Sequence, residues 1–350
     1  MLSLRHALRL FAILYAIAFP VQAAQHINVL LYHHVSANTP PATSVSPDTF
    51  AGHMQYLHEH GYQVIDLGQA LSLIQAKQEL PANSVAITFD DAWRNIYTNA
   101  LPIMEEYNYP FTVFVNTDPV DQNNGMAMTW DMLRDIKQRG GTLANHTRDH
   151  DYLVRKADYN QQWLADTLAN IDFAQQRLQT ETGSTPRWLA YPYGEYNQAL
   201  KQALKARGYL AFGQHSGGIA AFSDWQALPR FPAAGPYSNL KTLRLKLASQ
   251  PMPVDYQALP DTVIRLDQAA NNPPTLSVKM LQQEKKGVRD QLRCFILGTA
   301  QTPTWQSQQH WQVSAAQALP SGRSRYNCTA PVWGQNNYYW LSQQWLVYKH

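Results

Sequence analysis

The chain has 350 residues, of which 45% are hydrophobic and 11% aromatic, so it is long enough for about two domains and too apolar for a disordered tail. Charged residues make up 15% of the chain, the net charge is +3, and no Lys/Arg-rich block occurs. Because nucleic-acid binding needs a concentrated basic face, the composition argues against nucleic acid as the main partner, and neutral sugars or small molecules fit better.

The first 23 residues have the pattern of a secretory signal peptide. Arg5 and Arg9 precede an apolar run over residues 10–19, and a small-residue cleavage site ends at Ala23. The alternative is a membrane anchor, but about ten apolar residues are too few to cross about 30 Å of hydrocarbon as a helix. We therefore predict a cleaved signal peptide over residues 1–23, a periplasmic or secreted mature chain, and no stable membrane insertion after cleavage.

Short β-type runs alternate with amphipathic helices from residue 27 to about residue 231. The predicted strands cover residues 27–32, 84–89, 111–116, 142–145, 188–191 and 209–212. The clearest helix has Ser46 as its N-cap and Pro47 at its first position, and it ends at Gly61. A longer helix over about residues 159–182 ends at Gly183. The alternation predicts an α/β fold with a parallel sheet, either open or closed into a barrel.

The pattern changes in the proline-rich stretch 251–260, where helical periodicity stops. We therefore predict a catalytic domain over residues 24–255 and a second domain over residues 256–350. Alternating runs in the second domain, over residues 262–266, 275–281, 292–297, 311–314 and 338–348, predict a small all-β sandwich. Cys294 and Cys328 lie in it, and an even pair in an exported protein favours one disulfide, with two buried free thiols as the alternative. Its aromatic residues would form either a sugar-stacking platform or the core: Trp305, Trp311, Trp333, Tyr338, Tyr339, Trp340 and Trp345.

Polar residues follow four of the predicted strands at their carboxyl ends, where α/β folds form their sites. They are His33-His34, Asp90-Asp91, the run Asn-His-Thr-Arg-Asp-His over residues 145–150, and Tyr191-Pro192-Tyr193-Gly194. In a barrel these four clusters would converge on one rim.

Two of these clusters have the composition of a metal site. His146 and His150 are four residues apart, so a helical turn would aim both imidazoles at one point, and an Asp would complete a site of two histidines and one carboxylate. The alternative is a solvated histidine pair on a helix. The alternative role for Asp90 is to cap the next helix. Adjacent carboxylates repel, however, and a divalent cation would take one and leave the other free as a base. Zn²⁺ is the natural ion for this set, with Co²⁺ and Ni²⁺ as alternatives.

These motifs resemble a known family. Thr88-Phe89-Asp90-Asp91, the His-Thr-x-x-His run at 146–150 and Tyr191-Pro192-Tyr193-Gly194 are similar, in order and spacing, to the first three motifs of the polysaccharide deacetylases, carbohydrate esterase family four with its NodB-homology domain. Leu30-Leu31-Tyr32-His33 is similar to the branch that deacetylates poly-β-1,6-N-acetylglucosamine, where a usually C-terminal histidine motif comes first through circular permutation. The resemblance spans residues 27–232 and implies a distorted (β/α) barrel.

The resemblance also implies roles for the clustered residues. The metal ligands would be Asp91, His146 and His150. Asp90 would be the general base, and His33 as an imidazolium would protonate the departing amine. His34 competes for the acid role, but alternation along the strand points it to the opposite face.

By the same resemblance, the metal and the backbone N–H of Tyr193 would hold the oxyanion.

The third motif departs from the family pattern. In the common form of the family's third motif, an Arg stands four residues before the motif's glycine, here Gly194, and orients the catalytic Asp. This chain has Ala190 at that position. Arg230, at the end of a late strand, could reach the same rim as a substitute, whereas Arg187 precedes its strand and should lie at the opposite end. Asp224-Trp225 loosely resembles the fourth motif, in which a Trp walls the acetyl pocket; a core Trp is the alternative.

Together these features predict an exported, metal-dependent de-N-acetylase that releases acetate from an N-acetylglucosamine-containing polysaccharide or oligosaccharide. Alternatives among hydrolases are O-acetyl removal from a xylan-like glycan and deacetylation of peptidoglycan or chitin oligomers. From a different class, Ala190 leaves open a pseudoenzyme that only binds glycans.

Overall fold

The computed structural model describes residues 24–155, 159–267, 271–284 and 286–349. The predicted signal peptide, residues 1–23, lies outside the described residues. Within the described ranges, no helix combines the length and the apolar character needed to traverse a bilayer.

The first two thirds of the chain alternate strands and helices. The strands are β1 (His26–Tyr32), β2 (His34–Val35), β3 (Ser44–Val45), β4 (Gln63–Val64), β5 (Ser84–Asp90), β6 (Thr112–Val115), β7 (Thr142–Asn145), β8 (Trp188–Ala190), β9 (Leu210–Phe212), β10 (Gly218–Ala220) and β11 (Phe231–Pro232). The helices are α1 (Pro47–Glu59), α2 (Leu67–Gln75), α3 (Leu101–Glu106), α4 (Thr117–Gln122), α5 (Trp130–Gln138), α6 (Gln161–Thr182), α7 (Gln198–Ala206) and α8 (Leu240–Leu247).

Local signals account for the ends of the two helices that were predicted most clearly. The Ser46 side chain caps α1 by accepting from the Thr49 N–H. The Asn160 side chain accepts from the Trp163 N–H, so α6 begins at residue 161, two residues later than predicted. Helix α6 ends at Gly183, whose φ of 78° lies in the left-handed region that glycine adopts without strain.

The main sheet has the strand order β10-β1-β5-β6-β7-β8-β9. Its neighbours pair in parallel, except that β10 runs antiparallel to β1. Leu228 forms a parallel bridge with Phe212 of β9, and Phe231 of β11 pairs with Leu30 of β1. The chain segment 228–231 therefore links the two sides of the sheet and curls it towards a barrel, which confirms the predicted α/β fold.

All six predicted strands are present, and every end falls within one residue of the prediction. The reason is that these strands are almost entirely buried: each residue of β5 and of β6 is buried. Strands covered on both faces give continuous apolar runs, which are the clearest signal of a parallel sheet.

The rest of the chain is mostly β. The strands are β12 (Ser249–Pro251), β13 (Val263–Arg265), β14 (Thr275–Lys279), β15 (Arg293–Ile296), β16 (Thr299–Gln301), β17 (Thr304–Trp305), β18 (His310–Ser314), β19 (Gly322–Pro331) and β20 (Tyr338–Tyr348). One sheet has the order β12-β20-β19-β15-β16 with β13 on β20, and a second has the order β14-β18-β17. The predicted disulfide joins Cys294 of β15 to Cys328 of β19, which face each other in the register. A short helix, α9 (Lys286–Gln291), interrupts what was predicted to be all β.

The C-terminal sheets are joined to the barrel by the main chain and by buried side chains. Strand β12 pairs with β20, so the larger C-terminal sheet recruits residues 249–251, ahead of the predicted boundary at 255. The Asn28 side chain of β1 donates to the carbonyl oxygens of Lys246, Leu247 and Ser249. The division into domains over residues 24–255 and 256–350 stays a prediction.

Candidate metal centre and cleft

Strand β5 delivers two aspartates to the carboxyl edge of the sheet. Asp90 is the last residue of the strand and is fully buried. At Asp91 the backbone turns, with a φ of 73°, and Ala92 follows with a φ of 52°. Consecutive left-handed residues other than glycine are strained, and such strain concentrates at functional sites.

The two histidines reach one point through a loop, so the predicted helical turn between them is wrong. The side chain of Asn145 accepts from the Thr147 N–H at 2.7 Å, and the Thr147 hydroxyl accepts from the His150 N–H at 3.1 Å. Thr147 and His150 both have left-handed φ values, 70° and 59°. This turn places the rings of His146 and His150 with centroids 4.8 Å apart.

The structure brings Asp91, His146 and His150 together. Asp91 Oδ1 lies 3.2 Å from His146 Nε2 and 3.3 Å from His150 Nε2. One ligand atom from each of the three residues lies within 4.8 Å of the other two. Two histidines and one carboxylate are a donor set that suits Zn²⁺, Co²⁺ and Ni²⁺.

Hydrogen bonding around His146 tests whether a cation fits. Its Nδ1 lies 2.8 Å from the carbonyl oxygen of Ala190, which can only accept, so Nδ1 carries the proton and Nε2 presents a lone pair in the neutral ring. His146 Nε2 and Asp91 Oδ1 are both buried, and neither has a hydrogen-bond partner. Two facing acceptors require a positive charge between them, which either a proton on His146 or a divalent cation would supply.

The protonation states are those of a ligand set. Burial, together with the neighbouring His146, lowers the pKa of His150 to about 4, so its ring is neutral near pH 7. Burial alone would lower the pKa of His146, but Asp90 and Asp91 outweigh burial and raise it. A proton and a divalent cation therefore compete for the position beside His146 Nε2.

Asp90 forms an ion pair with Arg230, the residue that the sequence predicts in place of the arginine missing from the third motif. Arg230 Nη1 and Nη2 donate to the two Asp90 carboxylate oxygens at 2.7 and 2.9 Å, and both side chains are fully buried. Burial by itself would raise the pKa of Asp90, but the Arg230 charge and nearby imidazoles hold that pKa below its ordinary value. Arg187 lies at the other end of its strand and donates to the carbonyl oxygen of Arg207.

His33 and His34 face different surroundings, as strand alternation predicted. His33 Nε2 lies 4.0 Å from Asp90 Oδ2, beside the candidate metal centre. His34 is buried, stacks on Trp93 with ring centroids 4.4 Å apart, and hydrogen-bonds through Nδ1 to the Asn95 side chain. Of the two histidines, His33 is the one that lines the cleft.

The third motif forms a tight turn beside the histidines. Tyr193 has a left-handed φ of 57°, and its ring packs edge-on against His150 with centroids 4.6 Å apart. Gly194 follows with a φ of 71°, and a Cβ there would come within 2.7 Å of the backbone nitrogen of Gln214. Only glycine fits at this position, so the shape of the turn depends on it.

Two residues of the C-terminal sheet hold this turn, and the sequence analysis missed both. Arg323 of β19 donates through Nη1 to the Tyr193 carbonyl oxygen at 2.7 Å. Gln344 of β20 donates through Nε2 to the Gly194 carbonyl oxygen at 2.5 Å. The only sequence signal is a polar interruption, because Gln344 is buried within an otherwise largely apolar strand.

One cleft with a volume of about 330 Å³ joins these groups. The lining residues that bear on chemistry are His33, Asp91, His150, Tyr193, Arg323 and Arg325. The cleft therefore combines the candidate metal centre with side chains of the C-terminal sheet.

Other predicted site features lie elsewhere. Asp224 forms an ion pair with Lys201 at 2.5 Å, and Trp225 packs against the apolar core, so the loose similarity to a fourth motif has no counterpart in the cleft.

Among the C-terminal aromatic residues, Trp311 and Trp345 are buried in the core. Trp340 packs against Phe231 of the barrel. Trp333 and Tyr338 are 56% and 44% exposed. These two are the most exposed aromatic residues of the set, and the sugar-stacking platform stays a prediction.

The fold and site together define an α/β deacetylase-type barrel with a candidate divalent metal centre at the carboxyl ends of its strands. Residues 77–212 match the family model described as polysaccharide deacetylase. The chain is 27% identical over 184 residues to YxkH of Bacillus subtilis, an alignment that covers 52% of this chain and 61% of that protein. It is 24% identical over 241 residues to the poly-beta-1,6-N-acetyl-D-glucosamine N-deacetylase of Escherichia coli strain K12, covering 57% of this chain and 35% of that protein.

A solved structure gives the same fold. The deacetylase PplD of Streptococcus pyogenes, in complex with acetate, superimposes with a TM-score of 0.57 at 23% identity, covering 63% of this chain and 98% of that chain. The chain is therefore similar to the polysaccharide deacetylase family in the sequence of residues 77–212 and in its barrel fold. It spans less than two thirds of the length of the two curated relatives described above.

Proposed function

We propose that this protein is an exported, metal-dependent hydrolase that removes acetyl groups from an N-acetylglucosamine-containing glycan and releases acetate. The observation that carries the proposal is the convergence of Asp91, His146 and His150, in which the buried Asp91 Oδ1 and His146 Nε2 face each other without a hydrogen-bond partner. Asp90, held ionised beside this set, provides a base. The match of residues 77–212 to the polysaccharide deacetylase family model supports the same reaction class.

A divalent cation held by Asp91, His146 and His150 would polarise the acetyl carbonyl and lower the pKa of a water molecule towards about 7. Asp90 accepts the proton of the attacking water, because the Arg230 ion pair keeps its carboxylate ionised near neutral pH. The two-point contact with Arg230 also fixes the orientation of the carboxylate.

The chain's other groups act on the departing amine and on the developing negative charge. His33, as an imidazolium, donates a proton to the amine nitrogen, since an amide anion is a very poor leaving group. The backbone N–H of Tyr193 donates to the oxyanion. The contacts from Arg323 and Gln344 to the same turn keep that N–H in position.

Export is supported by two features of the chain. The predicted signal peptide covers residues 1–23, and the disulfide between Cys294 and Cys328 belongs to an oxidising compartment. De-N-acetylation of an N-acetylglucosamine polymer is supported by the name of the Escherichia coli relative. The other candidate reactions are O-acetyl removal from a xylan-like glycan and deacetylation of peptidoglycan or chitin oligomers.

An acetate-release panel tests the proposal. The zinc-loaded full chain is incubated with poly-N-acetylglucosamine, chitin oligomers, peptidoglycan and acetylxylan, and bound metal is measured in the same samples. We expect stoichiometric metal and acetate release from the N-acetylated glycans. Bound metal without acetate from any of the four would favour a glycan-binding pseudoenzyme.

A further inference from the structure

Two arginines of strand β19 reach the same cleft as the candidate metal centre. Arg323 and Arg325 are two residues apart, so their side chains leave the strand on one face, and both line the cleft with His33 and Asp91. They come from the C-terminal sheet, which lies outside the segment that matches the family model.

The two guanidinium groups differ in how their charge is satisfied. Arg323 donates to the Tyr193 carbonyl oxygen and lies 3.6 Å from the Glu195 carboxylate. Among the described residues, the Arg325 side chain has no hydrogen bond or ion pair, although it is half-buried. Burial lowers the pKa of Arg325, the nearby Tyr237 side chain partly offsets this, and the Arg323 charge lowers the pKa further, yet a guanidinium keeps its charge in proteins.

The cleft therefore carries excess positive charge. Among the described residues that line the cleft, Asp91 is the only one with a carboxylate. A bound divalent cation would more than neutralise the negative charge of Asp91. Asp90 is already paired with Arg230. In the free protein the Arg325 guanidinium reaches solvent through the cleft. A neutral sugar polymer that displaced this water would leave the guanidinium without a counter-charge, whereas an anionic group would supply one.

We infer that Arg325, with Arg323 beside it, forms an anion-binding subsite that selects acetylated glycans carrying a carboxylate or phosphate group near the N-acetyl sugar. The planar guanidinium fork matches both oxyanions, so their shared chemistry defines the ligand. The inference rests on the proposed deacetylase function for what is cleaved, and it adds which glycan is bound. It also revises the expectation of a neutral ligand, because the net charge of the whole chain does not reveal the charge of one cleft.

Binding measurements test the subsite without requiring turnover. The zinc-loaded chain carrying Asp90→Asn is titrated by calorimetry with three oligosaccharides of equal length. One is an N-acetylglucosamine oligomer, the second alternates N-acetylglucosamine with glucuronate, and the third contains phosphodiester-linked N-acetylglucosamine. We expect at least one anionic oligosaccharide to bind about tenfold tighter than the neutral one, and the tighter of the two identifies the anion. The preference should fall as ionic strength rises.

The subsite is assigned by variants in the same background. Arg325→Gln should lower the preference for the anionic oligosaccharide by about tenfold, measured as the ratio of its Kd to that of the neutral oligomer. Arg325→Lys keeps the charge but lacks the fork, so its ratio should be intermediate, and it gives a second readout if the Gln variant does not fold. Lys279→Gln removes one exposed positive charge from β14, outside the cleft, and should leave the ratio unchanged.

Equal affinity for all three oligosaccharides, or no binding of any, would overturn the inference. So would an Arg325→Gln variant that weakens neutral and anionic binding equally, because that result describes a general packing role. The wild-type chain is then tested for acetate release from the oligosaccharide that binds best. Tight, Arg325-dependent binding with no acetate would contradict the deacetylase function while leaving the anion subsite standing.

Discussion

The Arg230 guanidinium forms a two-point ion pair with Asp90, with distances of 2.7 and 2.9 Å, in which neither side chain is exposed. The family's usual arginine position holds Ala190, so the cation reaches the base from the segment that links β9 and β11. Because the pKa of Asp90 is lowered in the fold, the stabilisation from this pair is present above the ordinary Asp pKa of about 3.9 and is lost as the pH falls through the lowered value.

Replacing Arg230 should therefore shift the acidic limb of the profile of activity against pH to higher pH. In Arg230→Ala the pKa of Asp90 rises, because burial then acts without the compensating charge, so the acidic limb shifts to higher pH and turnover falls while metal stays bound. Removing one partner of a buried pair also destabilises the fold by about 3–5 kcal/mol, so Arg230→Lys, which should shift the limb less, is measured in parallel.

Arg187→Ala is the control for this pH experiment, since Arg187 lies at the other end of its strand. The pH dependence of kcat is the readout for all three variants. An unchanged acidic limb in both Arg230 variants, with loss of activity in Arg187→Ala, would assign the orienting cation to Arg187.

Removal of any one proposed ligand should remove metal and activity together. Asp91→Ala, His146→Ala and His150→Ala each leave two donors, and a three-ligand site rarely retains a divalent cation after such a loss. Elemental analysis of purified protein gives the metal content. His58→Ala removes an exposed histidine of α1 and should keep full occupancy. Full occupancy in all three ligand variants would mean that the cation is bound elsewhere.

Asp90→Asn should separate proton transfer from metal binding. The amide preserves the shape of the side chain but cannot accept a proton at the same oxygen, so we expect retained metal with a loss of about 10²–10⁴ in kcat. Metal content and single-turnover rates are measured on the same preparation. Wild-type turnover in this variant would leave Asp90 a structural role as the partner of Arg230.

The strand ends and the caps could be predicted because their signals are local. A buried run followed by Asp90 and Asp91 marks the carboxyl end of β5, and Ser46 with Pro47 marks the start of α1. The spacing of His146 and His150 suggested a helix, but that spacing does not distinguish a helix from a loop with left-handed residues. The loop depends on two hydrogen bonds to side chains, from the Thr147 N–H to Asn145 and from the His150 N–H to Thr147, and neither has a signature in the pattern.

The contribution of the C-terminal sheet to the site could also not be predicted, and the reason is the long sequence separation of the residues in contact. Strand β19 was not predicted, although it is ten residues long. Arg323 and Tyr193 are separated by 130 residues, so no local pattern relates them. Gln344 and Gly194 are separated by 150 residues. The only signal of a long-range partner is that Gln344 is a polar residue within a largely apolar strand.

These contacts lead to a prediction about the C-terminal sheet as a positioning element. A separable appendage would let a chain ending near Pro260 keep its metal and hydrolyse short soluble substrates. The contacts to Tyr193 and Gly194 predict instead that such a chain loses activity on short substrates too, because the turn that presents the oxyanion donor is no longer held.

A point substitution tests this positioning without deleting a sheet. Gln344→Ala removes the donor to the Gly194 carbonyl oxygen, so we expect kcat on a short substrate to fall by about tenfold to a hundredfold while metal content stays full. Gln343→Ala is the matched control, because Gln343 is a buried glutamine of the same strand whose amide donates to the carbonyl oxygens of Pro260 and Gln344 rather than to that of Gly194. Thermal unfolding of both variants measures the shared cost of losing a buried amide. If the two variants lose stability and kcat to the same degree, the fall in rate reflects general loosening of β20; if kcat falls only in Gln344→Ala, the C-terminal sheet holds the turn for catalysis.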